Sequence, residues 1–176
     1  MRIKWVVAFV AMGLFSGVSA EAQTELQRTE FAQWMKHRQA IADDREVVAY
    51  YDFQEPEGTV LKNRAATGTA LDGKIVDARW ATGRWPGKSA LRFDGKTSVV
   101  EIPSTAALAA LDAGQGGGEM TIELWMNATT KQEAGLIDKS SAGTASDAPW
   151  CLWLSPNRLV AYVTGQSGGP LAVVGD

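Results

Sequence analysis

Hydrophobic and polar positions along the chain fall into three textures, and each predicts a different kind of element. An almost unbroken apolar run from Trp5 to Phe15 follows Arg2 and Lys4 and gives way to the small residues Val18, Ser19 and Ala20. That order is the pattern of a secretory signal peptide cleaved after Ala20. The run is shorter than the roughly 20 residues a bilayer span requires, so no transmembrane segment is expected after cleavage. The next stretch, TELQRTEFAQWMKHRQAIA, lacks Gly and Pro and spaces Phe31, Trp34, Met35 and Ile41 near the helical repeat. Thr24 with Gln27 three residues on has the form of a capping box, which predicts a helix over 24–42. One apolar stripe implies that it lies on something: the main domain, another chain or a membrane surface, in that order.

From Val47 onward the texture becomes short β-branched and aromatic runs parted by Gly, Asp, Asn and Pro. Strands are predicted near 47–53, 70–76, 90–93, 98–102, 120–127, 135–138, 150–154 and 159–164. No long helical pattern separates them, which argues against a parallel sheet and for an all-β antiparallel sandwich. In 120–127 the alternation puts Met120, Ile122, Leu124 and Met126 on a core face, with Thr121, Glu123, Trp125 and Asn127 opposite. The Gly-rich 112–119 and the small, polar 140–149 read as surface loops. In SALRFDGKTSVVEIP, residues 89–103, Asp94-Gly95 reads as a tight turn that sets the register of the two strands beside it.

Composition narrows the function without naming it. A chain of 176 residues, 45% hydrophobic and 21% charged, holds one good core and one main domain. The net charge of −3 becomes −5 once Arg2 and Lys4 leave with the signal peptide. With no run of Lys or Arg to track phosphates, nucleic acid is not an expected partner. Cys151 is the only cysteine, so neither an internal disulfide nor a Cys-based zinc site is available. Its setting, WCLWL, fits a buried thiol rather than a nucleophile, and the single histidine, His37, sits in the helical stretch far from it in sequence.

Several segments, taken in order, resemble the laminin-G-like, concanavalin-A-like jelly-roll family of exported bacterial proteins. Val48 to Phe53 is similar to the family's opening strand ending in Asp-Phe. Leu61, Lys62, Asn63 and Arg64, with Leu71 to Ile75, are similar to its next turn and Gly-containing strand. Trp80, Gly83, Arg84, Gly87, Ala90, Leu91, Phe93, Asp94 and Gly95 approximate its Trp-to-Asp-Gly run with one inserted residue, and Thr121, Ile122 and Trp125 match its Thr-Ile-x-x-Trp strand. A Trp-bearing helix before Tyr-Tyr-Asp-Phe and a Gly-Arg-Trp-Pro-Gly turn is planctomycete-like. The resemblance implies a signal peptide at 1–20, a helix and linker at 21–46, and a two-sheet antiparallel jelly roll at 47–176. The family's Trp-His-His and Tyr-Val-Asp-Gly strands have no counterpart, which implies a sandwich incomplete at its C-terminus, with unpaired strand edges open to self-association.

The function implied is an exported, non-catalytic module, in the periplasm, at the cell surface or secreted, that recognises carbohydrate or protein. The alternatives are a fragment of a glycan-active enzyme and a structural part of a cell-surface or regulatory assembly. Trp80, Trp85, Trp150 and Trp153 are the candidate ligand contacts, because an indole face stacks on a sugar ring and also makes good core; Trp85, between Arg84 and Pro86, leads them. Related sandwiches hold calcium with loop carboxylates, which makes Asp52, Asp72, Asp94 and Asp138 candidate ligands; the competing reading of Asp72-Gly73 and Asp94-Gly95 is tight turns. Glu119 and Glu123 lack the carboxylate clustering of jelly-roll glycosidases, and no catalytic residue is assigned.

Overall fold

The computed structural model describes residues 20–111, 120–129, 133–139, 149–156, 158–164 and 170–175. The expected signal peptide, the 112–119 loop, Glu119 and nearly all of the 140–149 loop lie outside the described residues. The chain divides into two compact units, the described residues 20–105 in one and those from 106 onward in the other. The boundary falls inside the span read from sequence as one jelly-roll domain and places the helix with the early strands.

In the first unit, helix α1 spans Ala20–Asp43, 24 residues. The described helix already includes Ala20, Glu21, Ala22 and Gln23, ahead of the start that the capping-box pattern predicts, and these residues are themselves compatible with helix. Thr24 is therefore interior, its hydroxyl donating back to the Ala20 carbonyl at 2.9 Å instead of capping. The helix stops at a turn in which the Asp44 carboxylate accepts the Glu46 amide at 2.9 Å. No residue of α1 is buried, but Phe31, Trp34, Arg38 and Ala42 are half-buried at helical spacing. Phe31 and Trp34 of the expected stripe meet the unit's own β portion, whereas Met35 and Ile41, expected beside them, are exposed, and Arg38 and Ala42 continue the half-buried face instead.

Strands β1 (Val60–Leu61), β2 (Gly73–Val76) and β5 (Val99–Glu101) form one antiparallel sheet in the order β1-β2-β5, while β3 (Arg79–Thr82) and β4 (Ser89–Arg92) form a separate hairpin. A 3₁₀ turn, Gly68–Leu71, precedes β2. Leu61, Ala65, Leu71 and Ile75 are the buried apolar residues of this unit.

Two expectations fail here. Residues 47–53 are not a strand. Tyr50 donates its amide to the Asn63 side chain at 2.9 Å and accepts from the Arg64 amide at 2.7 Å, so a side chain replaces one rung of the ladder. The stretch 89–103 is not a hairpin either: β4 pairs with β3 and β5 with β2, and Asp94-Gly95 lies on the connection between two sheets. Gly73 accounts for the pairing of β5. A Cβ there would come within 2.5 Å of Val100 Cγ1, so the bare glycine leaves the room that Val100 fills.

In the second unit a short helix α2 (Ala106–Ala109) precedes a four-stranded antiparallel sheet, ordered β6 (Ala134–Asp138), β7 (Trp150–Ser155), β8 (Arg158–Thr164), β9 (Pro170–Gly175). Leu152, Leu159 and Ala161 form its core with Leu124, Leu136 and Ile137, and Trp150 packs on Met120, Ile122 and Ile137. Residues 120–127 are not a strand, since among the described residues they form no ladder. The alternation survives without it: Met120, Ile122 and Leu124 are half-buried, Thr121, Glu123 and Trp125 exposed, and Met126, expected in the core, exposed. The described fold is β-rich, made of antiparallel sheets with one long helix.

Candidate functional site

The densest polar cluster among the described residues gathers around Asp52 in the first unit. Its side chain is fully buried, and a buried carboxylate is tolerated only when compensated. Arg38 of α1 lies 2.7 Å from Oδ2, and Arg64 Nε donates to Oδ1 at 3.4 Å while its NH2 donates to Glu55 Oε1 at 2.6 Å. The Arg38 contact is close but poorly aligned as a hydrogen bond, so charge more than direction holds it. Phe53, next in the chain, has φ 51, a left-handed conformation that costs a non-glycine residue of order 1–3 kcal/mol. The Gln54 amide, bonded to Asp52 Oδ1 at 3.2 Å, fixes the turn.

Lys88 lies against the same cluster. Its ammonium donates to the Asp52 carbonyl and, at 3.2 Å, to that of Ser89, and sits 4.7 Å from the Trp34 ring centre and 5.7 Å from that of Phe53. Burial pulls its pKa down to about 8, against the pull of Asp52 and Glu55 and with the push of Arg38. Tyr51 donates its hydroxyl to the Leu71 carbonyl at 2.6 Å, and burial, helped by the charge on Asp72, pushes its pKa up to about 12.

Trp85 stands on the turn between β3 and β4. Its Nε1 donates to Glu30 at 2.8 Å, its ring lies 6.1 Å from Phe31 and 6.2 Å from Trp34, and the Arg84 guanidinium covers it at 4.8 Å. The leading candidate for ligand contact is therefore engaged by α1. Trp80, on β3, donates Nε1 to the Gly58 carbonyl at 2.9 Å. It lines an open depression of about 310 Å³ with Pro56, Ala81, Thr82, Gly87, Lys88 and Ser89.

The other two tryptophans belong to the second unit. Trp150 is buried in its core, and Trp153 is half-buried one residue past Leu152, on the opposite face of β7 from Trp150. The four tryptophans are thus divided between the two units, two in each. Cys151 is buried, and its thiol is pushed up by burial and then by Asp138.

Of the four aspartates, three belong to the first unit and Asp138 to the second. Asp52 is ion-paired as above, Asp72 accepts the Asn63 amide at 2.8 Å, and Asp138 is exposed at the end of β6 opposite Cys151. Asp94 gathers its own loop: Oδ1 accepts the amides of Lys96, Thr97 and Ser98 at 2.8, 3.0 and 3.0 Å and the Ser98 hydroxyl at 2.5 Å. These bonds hold its carboxyl well below the usual carboxylate range, the Ser98 hydroxyl contributing most. Among the described residues no three His, Cys, Asp or Glu side chains gather as metal ligands, and no helix is long and apolar enough to cross a membrane.

Arg38, Glu55, Arg64 and Lys88 are the residues of the cluster that sequence reasoning missed. Arg38 alone carried a signal, falling four residues after Trp34 and seven after Phe31 on the helical stripe. The partners of Asp52 come from 12 to 36 residues away along the chain, a separation no local pattern reports. No protein-family profile matches the chain, and neither a curated protein nor a solved structure is significantly similar to it.

Proposed function

We propose that the chain is an exported, non-catalytic binding module of the laminin-G-like jelly-roll type, which recognises carbohydrate or a surface protein through the depression at Trp80. The observation that supports this reading is the setting of that indole. Its Nε1 is tied to the Gly58 carbonyl, so the ring is held in place before any ligand arrives. Thr82 and Ser89 line the same depression and offer hydroxyl donors and acceptors. An aromatic plate beside hydroxyls in a shallow, open hollow suits stacking against one or two sugar rings. The loss of ligand freedom is then the main opposing cost.

A glycan array probed with the full chain, with and without calcium, tests this reading. Binding that falls by about tenfold in Trp80→Ala, roughly the loss of one stacking contact of 1.4 kcal/mol, is the expected result. Binding that is unchanged in that variant moves the site elsewhere. No binding to any glycan or surface protein removes the reading, and cleavage of a glycan replaces it with the enzyme alternative. A signal that appears only with calcium adds the ion as a cofactor.

A further inference from the structure

The Trp85 face of the first unit is already occupied, and its occupant is attached by unusual means. Helix α1 meets that face through four side chains. Glu30 accepts the Trp85 indole, Phe31 stacks on Trp34 at 5.6 Å between ring centres, Trp34 lies under the Lys88 ammonium, and Arg38 reaches Asp52. Phe31 also lies against Gly87, where a Cβ would meet the ring at 3.5 Å, an ordinary van der Waals distance, and where the φ of 83 favours glycine. Yet no residue of this 24-residue helix is buried, and from Ala20 to Thr29 only Thr24 is even half-buried. The connection to the β portion, residues 44–49, carries no helix or strand. Val47, Val48 and Ala49 are half-buried and the Val48 carbonyl accepts the Thr67 hydroxyl at 2.8 Å, which leaves 44–46, roughly 10 Å if extended, as the hinge.

From this geometry we infer that the surface formed by Trp85, Gly87, Lys88 and Asp52 is a receptor for an amphipathic helix, and that α1 of a second copy of this chain can take the place of the resident one. Every contact that holds α1 in its own chain is reproduced when two copies trade arms. Exchange therefore changes the balance only through the turn at Asp44, which must open, and through association itself. The face selects its occupant by four features at helical spacing: a carboxylate for the indole N–H, two aromatics for Gly87 and the ammonium, and a guanidinium for the buried carboxylate. The inference does not rest on the Trp80 depression, and the two fail separately.

The test uses the full chain and a fluorescein-labelled synthetic peptide of residues 20–43. Gln33 is exposed on α1, so Gln33→Pro breaks the resident helix and leaves the receptor residues unaltered. In fluorescence anisotropy the peptide should bind this variant about tenfold more tightly than the wild type, the factor for a resident arm that vacates its seat about a tenth of the time. A peptide carrying Trp34→Ala should lose that binding. A second chain, carrying Trp34→Ala and Arg38→Gln, keeps α1 helical while weakening its seat and should accept the wild-type peptide as well. Equal binding to wild type and variants, or no binding to a variant that retains a cooperative thermal transition, overturns the inference. Loss of that transition in both variants also overturns it, because α1 would then be inseparable from the unit it rests on.

Discussion

Asp94 shows how one residue can be read correctly in kind and incorrectly in consequence. Its place before Gly95 marks a turn, and it does turn the chain, but through a carboxylate that collects the amides of residues 96–98 rather than through a two-residue hairpin. Because those bonds favour the ionised form, its native pKa is depressed below the ordinary 3.8. The stability it confers is complete above that value and is lost as the pH falls through the native value. Lys88 behaves differently on the alkaline side. Its native pKa of about 8 lies below the ordinary 10.5, so the unfolded chain holds the proton longer and stability rises from about pH 8 toward 10.5. Tyr51, raised from 10.0 to about 12, acts in the opposite sense and removes stability from about pH 10 upward. Urea unfolding across pH should therefore give a curve that falls in acid, climbs past pH 8 and turns over near 10. Asp94→Asn should flatten the acid limb and Lys88→Met the climb; an unchanged acid limb in Asp94→Asn would refute the role given to that carboxylate.

At the scale of elements, strands whose apolar residues meet partners close in sequence were legible, and those that depend on distant side chains were not. Residues 150–154 and 159–164 became β7 and β8 within a residue or so, because a short connection joins them and Leu152 and Ala161 face each other across it. Residues 47–53 have strand composition, but the Asn63 side chain accepts the Tyr50 amide that a neighbouring strand would have taken. Residues 120–127 retain the two-residue alternation of burial without a ladder, so periodicity reported which face is covered and not what the backbone pairs with. The ion cluster was invisible for the same reason: composition shows a carboxylate near a strand end at Asp52 but not the two guanidinium groups that meet it. Gly73 offers the sharpest check on the observed pairing. If β5 lies on β2 because Val100 fills the space above that glycine, Gly73→Ala places a carbon 2.5 Å from Val100 Cγ1. Such overpacking costs about 1–3 kcal/mol, seen as a lower urea midpoint with little change in slope. Gly73→Ala with Val100→Ala should recover part of the loss, and an undisturbed midpoint in the single variant would contradict the β2–β5 pairing.

For the molecule as a whole, the feature with the widest reach is the open sheet of the second unit. In the order β6-β7-β8-β9 the outer strands each pair on one side only among the described residues, and an unpaired edge offers its N–H and C=O groups to any strand that fits. The central strands show why such an edge matters. Trp150, Cys151 and Leu152 are consecutive and all buried, as are Leu159, Val160 and Ala161, so the sheet is shielded on both faces and an added strand would extend an already dry structure. Self-association should therefore grow with protein concentration in light scattering behind size exclusion, and it should resist salt, because backbone hydrogen bonds and apolar contacts are not screened as surface charges are. The exchange of α1 is a second route to the same apparent mass, and the two separate cleanly. Excess peptide of residues 20–43 occupies the Trp85 face and should abolish association that proceeds through the arm, while leaving association through a strand edge untouched. A monomer at every concentration, with and without the peptide, would mean that the edges of this sheet are covered, and both routes would fall together.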